Sequence, residues 1–238
     1  MAQVINTNIA SLFAGSALNK SAIALQTAQQ RLSSGLRINS SKDDATGLGI
    51  ATGYDSQIRG TNIAIRGAND AVSKAQTNDG YAAQITENLQ RLREIAVQLG
   101  GTASGAESVA LLAENLRISA LTTAATATVI DGTGTTVTGV SAAVTAPVGT
   151  TVALIDADIT AVATSRANYG ADMATFGSAV ATMQTASVNL SASYSRIMDT
   201  DYAAETTAMT RNNILQQAGT AVLAQANQTP NTVLTLLR

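Results

Sequence analysis

From Val152 to Ile197, a run of positions spaced three or four apart carries Val152, Ile155, Ile159, Val162, Arg166, Tyr169, Met173, Phe176, Val180, Met183, Ser187, Leu190, Tyr194 and Ile197. Alternating steps of three and four are the heptad signature, and a helix that sustains it this long needs a partner along nearly its whole length. A helix in an ordinary bundle is the alternative, although such helices usually run ~8–20 residues. The first half of the chain offers a partner, because Ile85, Leu89, Leu92, Ala96 and Leu99 repeat the spacing before the Gly100-Gly101 break. Upstream, Ile58, Ile65 and Val72 lie seven apart, with Asn62, Asn69 and Gln76 at the intervening positions. That mixture predicts a weaker seam, trading stability for register or for water-filled packing. A third helix is expected from Glu107 to Ala120, entered at Ser104 or Gly105.

The chemistry open to the chain is narrow. It has 238 residues, enough to bury a substantial core, and 45% of them are hydrophobic, yet aromatics make up only 3%. The apolar mass is therefore mostly Ala, Val, Leu and Ile, which suits long helices in close approach, and an elongated, helix-rich protein is expected. With no His and no Cys there is no Ser-His-Asp or Cys-His nucleophile and no zinc finger. A serine-lysine hydrolase fails too, because Ala17, Asn39 and Ala71 stand three residues before Lys20, Lys42 and Lys74. We expect neither an enzyme nor a cofactor. A net charge of -2 argues against nucleic acid as a partner, and four basic residues spread over 1–42 make a weak patch for nucleic acid or a membrane surface. The opening Met1-Ala2-Gln3-Val4-Ile5-Asn6 lacks the basic start and apolar run of a Sec-type leader, so none is expected. No apolar stretch reaches the roughly 20 residues of a membrane-spanning helix, so no membrane insertion is expected.

Between Thr122 and Thr151 the composition turns to Thr, Val, Ala and Gly without Lys, Arg or Glu. Asp131-Gly132, flanked by Val129-Ile130 and Val137, signals a small β-hairpin or ribbon, with a flexible linker as the competing reading. The two ends differ from this middle. Every charge in residues 1–42 is positive, and Val4, Ser11, Leu18, Leu25 and Leu32 fall seven apart on a predicted helix. From Asn212 through Leu237 there is no charge at all, only Gln, Asn, Thr and Ala around Ile214, Leu215, Val222 and Leu223. A solvated helix normally carries charge on its outer face, so this one is expected to be buried on several sides, and neighbouring molecules are the leading candidates to bury it.

Three carboxylate pairs, Asp43/Asp44, Asp156/Asp158 and Asp199/Asp201, lack the surrounding ligands that a metal such as Ca²⁺ wants, and we read them as caps and turn residues. Asp199 or Thr200 is expected to cap the helix that opens near Tyr202. Gly47-Leu48-Gly49 lacks the further glycine and the lysine of a phosphate loop and reads as close helix packing. No catalytic or metal site is expected.

Ala2-Gln3-Val4-Ile5-Asn6-Thr7-Asn8, then Arg31-Leu32-Ser33-Ser34-Gly35-Leu36-Arg37-Ile38-Asn39-Ser40 with Lys42-Asp43-Asp44-Ala45, resemble the N-terminal region of bacterial flagellins. The run from Asn88 to Gln98 is similar as well. At the other end Ser195-Arg196-Ile197, Asp199-Thr200-Asp201-Tyr202-Ala203, Ile214-Leu215-Gln216-Gln217-Ala218-Gly219 and Leu236-Leu237-Arg238 match the C-terminal region in the right order. The resemblance implies a mostly α fold of long antiparallel helices. In it, residues 1–44 and 195–238 form a terminal coiled-coil domain that lines a filament core, disordered in the free subunit and ordered on polymerisation. Residues 45–194 form a helical rod domain with a small β segment near 122–151. It further implies a secreted, extracellular structural subunit that self-assembles into the flagellar filament used for swimming. The polymerisation residues expected on the terminal helices are Val4, Ile5, Leu18, Leu25, Leu32, Ile214, Leu215, Val222, Leu223, Leu236 and Leu237. The implied partners are further copies of the chain, the flagellar export apparatus with its chaperone, the filament cap protein and the hook-filament junction proteins. A junction protein or a surface adhesin built on the same termini is the alternative. Gln90, Arg91, Glu94 and Ile95 match the stretch recognised by the animal Toll-like receptor that senses this family, and we expect them on one helical face. The plain reading beside it is an exposed Arg91–Glu94 pair worth ~0.2–0.5 kcal/mol. Large central surface domains, common in flagellins, have no room here, so a thin, smooth filament is expected.

Overall fold

The computed structural model describes residues 7–122, 128–130 and 134–235, with side chains to Gln228. Among them are five helices, α1 (Ile9–Ser34), α2 (Ala45–Gln98), α3 (Ala106–Leu121), α4 (Val152–Met198) and α5 (Tyr202–Thr235). Two short strands, β1 (Thr128–Ile130) and β2 (Thr136–Thr138), lie between α3 and α4. The structure is thus mostly α, with long helices packed on one another and one small antiparallel sheet. The chain separates into two compact units: residues 1–53 with 192–238, and residues 54–191.

In the unit 54–191, α2 and α4 run antiparallel. Arg93 pairs with Asp156 at 2.6 Å, Arg166 with Asp79 at 2.8 Å, and Ser187 donates to Asn62 at 3.4 Å. The α4 seam is buried at every seventh residue, Ile155, Val162, Tyr169, Phe176 and Met183, and half-buried at the positions between. Its partner seam on α2 is the expected one only in part: Ile58, Ile65 and Val72 are half-buried, Ile65 and Val72 against the Phe176 cluster, but they flank the seam rather than form its buried line. Asn62, Asn69 and Gln76 are exposed, and the buried line is Thr61, Ala64, Ala68, Ala71, Ala75, Asn78 and Ala82, continuing into Ile85, Leu89, Leu92 and Ala96. The physical reason is volume: Phe176 and Met183 cluster with Ala64, Ala68 and Ala71, and bulky side chains on one helix leave room for little more than methyl groups on the other. Leu99 is exposed because α2 ends at Gln98, where the positive-φ glycines Gly100 and Gly101 turn the chain away.

Helix α3 closes this core with Ile118 buried and Leu111 and Leu112 half-buried against it. Its N-cap is Gly105. The strands pair antiparallel, Thr128 opposite Thr138, Val129 opposite Val137 and Ile130 opposite Thr136, and Val129 joins the Phe176 cluster. The expected Asp131-Gly132 turn lies outside the described residues.

In the other unit α1 and α5 pair antiparallel. Gly35 ends α1 in a left-handed conformation, φ 72°, with its N–H donating to the Arg31 carbonyl. The chain then zips to the turn before α5. Leu36 bridges Asp199, Arg37 N–H donates to the Met198 carbonyl, and the Arg37 guanidinium caps the Ile197 carbonyl at 2.8 Å. Beneath this junction Ile38, Ala51 and Met198 form a small core with Leu36, Leu48, Tyr194 and Ile197.

Candidate assembly surface

Helices α1 and α5 hold each other at both ends of their contact. Asn8 caps α1, accepting from Ser11 N–H at 3.1 Å, and its Nδ2 donates to the Ala226 carbonyl at 2.8 Å. Ser11 donates to Asn227 Oδ1 at 2.8 Å, and at the far end Arg31 faces Glu205 at 3.7 Å. Between them the approach is close: a Cβ added at Gly219 would sit 3.2 Å from Leu18 Cδ1. The cap of α5 is Asp201, whose carboxylate accepts from Ala203 and Ala204 N–H, and not Asp199 or Thr200. Asp199 instead accepts from the Ser195 hydroxyl.

The pair buries little of what it carries. Among the described side chains of α1 and α5 the buried residues are Ala14, Ala28 and Ala226. The large apolar residues point outward, with Phe13 78%, Ile214 60% and Val222 55% exposed and Ile9, Leu12, Ile23 and Leu215 beside them. Leu18, Leu25, Leu32 and Leu223 are half-buried in the seam. A groove between the helices is floored by Ala14, Leu18 and Gly219 and walled by Phe13, Leu215 and Val222. Val4, Ile5, Leu236 and Leu237 lie outside the described residues.

The second candidate cluster lies on α2. Gln90, Arg91 and Glu94 are exposed, and Arg91 is the hub, reaching Glu94 at 3.0 Å and Glu107 of α3 at 2.8 Å. These hydrogen bonds, the Glu107 bond first, hold the Arg91 guanidinium charged beyond the usual arginine range. Ile95 does not share their face: it is 8% exposed and packs into the core with Ala103 and Ile118. At 3.6 residues per turn, positions 90, 91, 94 and 95 fan over about 140° of arc, so one edge of the set turns under α3.

The other carboxylates of the pairs expected as caps and turn residues are engaged. Asp43 accepts from the Ser40 and Asn39 N–H groups and the Ser40 hydroxyl. Those bonds, the Ser40 N–H first, hold its carboxyl below the ordinary value of 3.8. Asp44 accepts from Gly47 N–H at 2.8 Å at the start of α2, and Asp158 from Gly149 N–H at 2.8 Å. One carboxylate that sequence reading passed over is buried outright: Asp172 of α4, which accepts from the Val140 and Ser141 N–H groups and the Ser141 hydroxyl. No helix of the described residues is long and apolar enough to cross a membrane.

Long antiparallel helices joined by heptad seams, with the two chain ends paired and their large apolar side chains turned outward, define a helical coiled-coil protein with an unfilled apolar surface at its termini. Residues 5–133 match the bacterial flagellin N-terminal helical region, and residues 152–237 match the bacterial flagellin C-terminal helical region. The chain belongs to the bacterial flagellin family. Among its relatives, the flagellin of Salmonella muenchen is 54% identical over 115 residues, 48% of this chain and 23% of the relative. The flagellin of Salmonella rubislaw is 58% identical over 98 residues, 41% of this chain and 20% of the relative. Phase 2 flagellin of Salmonella typhimurium is also 58% identical over 98 residues, 41% of this chain and 19% of the relative. The chain spans about a fifth of the length of these curated relatives. Residues 134–151 alone separate the two matched regions, so this is a flagellin without a large central variable region. The family is structural rather than enzymatic.

Proposed function

We propose that this chain is the structural subunit of a flagellar filament, polymerised through the terminal unit. The observation that carries this reading is the inversion along α1 and α5, which bury alanines and expose Phe13, Ile214, Leu215 and Val222. An isolated surface helix arranges its side chains the other way round. Contacts of that surface with neighbouring copies are heterologous, so repetition does not close and a helix of subunits results. In sequence, Val4 and Ile5 precede α1 and Leu236 and Leu237 follow α5, and they are assigned the same role. Residues 1–44 and 195–238 then form the filament core and 45–194 the outer rod.

The same reading makes the subunit secreted and extracellular, handed on by the flagellar export apparatus and its chaperone, and bounded in the filament by the cap and hook-filament junction proteins. At the outer rod, Gln90, Arg91 and Glu94 are the groups open to a Toll-like receptor, while Ile95 supports them from within. Catalysis plays no part in this role.

The test is seeded polymerisation. Purified chain given short filament seeds is expected to sediment as long filaments, and a chain lacking residues 212–238 is expected to stay in the supernatant. Elongation by the truncated chain would overturn the assignment of assembly to the termini. Short, capped oligomers from the intact chain would point to a junction protein.

A further inference from the structure

We propose that Asp172 is a latch holding the segment 139–150 shut over the helical core, and that this strap opens as a unit of its own while α2, α3 and α4 stay folded. The segment contains no helix or strand. Its backbone polar groups must therefore find partners elsewhere, and they find them largely in side chains. Asp172 accepts from Val140 N–H at 2.8 Å, Ser141 N–H at 3.0 Å and the Ser141 hydroxyl. Tyr169, one helical turn before it, donates its hydroxyl to the Ala142 carbonyl at 2.9 Å. Thr122 Oγ1 accepts from Val144 N–H at 3.0 Å, and Asp158 from Gly149 N–H.

Apolar burial adds to the closure at two places, Val144 and Pro147, which are both buried, whereas Val140 and Val148 face solvent. The strap is otherwise fastened by polar bonds, with Asp172 as the chief fastening. Its carboxyl group is wholly buried and engaged by three donors from the strap, more than any other side chain that meets it. The helices beneath are held differently, by Ile85, Leu89, Leu92, Ile155, Val162 and Phe176, all fully buried. Two parts fastened by different forces have different opening free energies, which is the condition for independent local unfolding. An open strap uncovers Tyr169, so the unit has a closed and an open form that share one helical frame.

The experiment is native-state hydrogen exchange on the full chain and on Asp172→Asn and Ser141→Ala. In the wild type, the Val140, Ser141 and Val144 amides are expected to exchange through an opening that depends weakly on denaturant, while the α4 amides near Val162 and Phe176 exchange only with a steep dependence. Asp172→Asn is expected to speed exchange of the strap amides by at least about tenfold, and Ser141→Ala by less, with far-ultraviolet circular dichroism and the α4 amides unchanged. Strap and α4 amides sharing one opening in the wild type would overturn the proposal. So would strap exchange in Asp172→Asn that matches the wild type. If Asp172→Asn does not fold, the wild-type denaturant dependence and Ser141→Ala decide alone.

Discussion

Two glycines, two residues apart on α2, separate what space does from what flexibility does. A Cβ on Gly47 would meet Asp44 Oδ2 at 2.3 Å and Ile38 Cδ1 at 2.9 Å, while one on Gly49 meets nothing within 4 Å. Gly47→Ala must displace the carboxylate that caps α2 or the isoleucine at the centre of the junction core, and is expected to destabilise by about 1–3 kcal/mol. Gly49→Ala only restricts the unfolded chain and is expected to stabilise by about 0.5–1 kcal/mol. Opposite shifts of the denaturant midpoint check this, and shifts of the same sign would refute it. Close packing was legible in Gly47-Leu48-Gly49, but not which glycine provides it, because that depends on Ile38 folding back from nine residues away. Asp172 was hidden for a similar reason. Between Ala171 and Met173 it reads as one more surface carboxylate, and only the return of the chain at Val140 and Ser141 turns it into a buried acceptor.

Among the elements, the α4 seam was legible in full and its α2 partner only in part. On α4 the buried positions carry bulky residues against a background of Ala, Ser and Thr, so the period stands out. On α2 the buried positions from Ala64 to Ala82 are mostly alanines, no different in kind from exposed residues nearby, and the eye goes to Ile58, Ile65 and Val72. The two seams are complementary, and that complementarity is testable. Phe176→Ala alone is expected to cost about 3–5 kcal/mol. Ala68→Leu alone, overfilling the space that Phe176 occupies, is expected to cost about 1–3 kcal/mol. Since both residues belong to one buried cluster, the double variant is expected to be more stable than the sum of the two losses by about 0.5–3 kcal/mol. Strict additivity in chemical denaturation would mean that the two helices do not share that volume. Of the terminal helices, α1 was legible in the sevenfold spacing of Ser11, Leu18, Leu25 and Leu32, whereas the missing charge after Arg211 bears on what would surround α5 rather than on its fold.

At the scale of the molecule, the two units solve the problem of apolar burial in opposite ways. Residues 54–191 enclose their large side chains, including Ile85, Leu92, Tyr169 and Phe176. The paired α1 and α5 keep alanines inside and leave Phe13, Ile214 and Val222 in water. Covering the exposed part of each such side chain by a neighbouring copy contributes at most roughly 1.5–3 kcal/mol, and that part is not available to the free chain. Removing it is therefore expected to leave the chain's own stability alone and to act on assembly. Ile214→Glu not only forfeits the burial but places a charge where a neighbour would have to desolvate it. At about 1.4 kcal/mol per factor of ten, the critical concentration for seeded elongation is expected to rise by at least about tenfold, with the thermal melting of the unpolymerised chain unchanged. Ile214→Val, which retains most of the apolar surface, is expected to elongate close to the wild type, so an effect of the glutamate is an effect of lost burial and added charge. Wild-type elongation by Ile214→Glu would mean that this face of α5 stays in solvent in the polymer, and the outward-facing side chains of the terminal pair would then need another explanation.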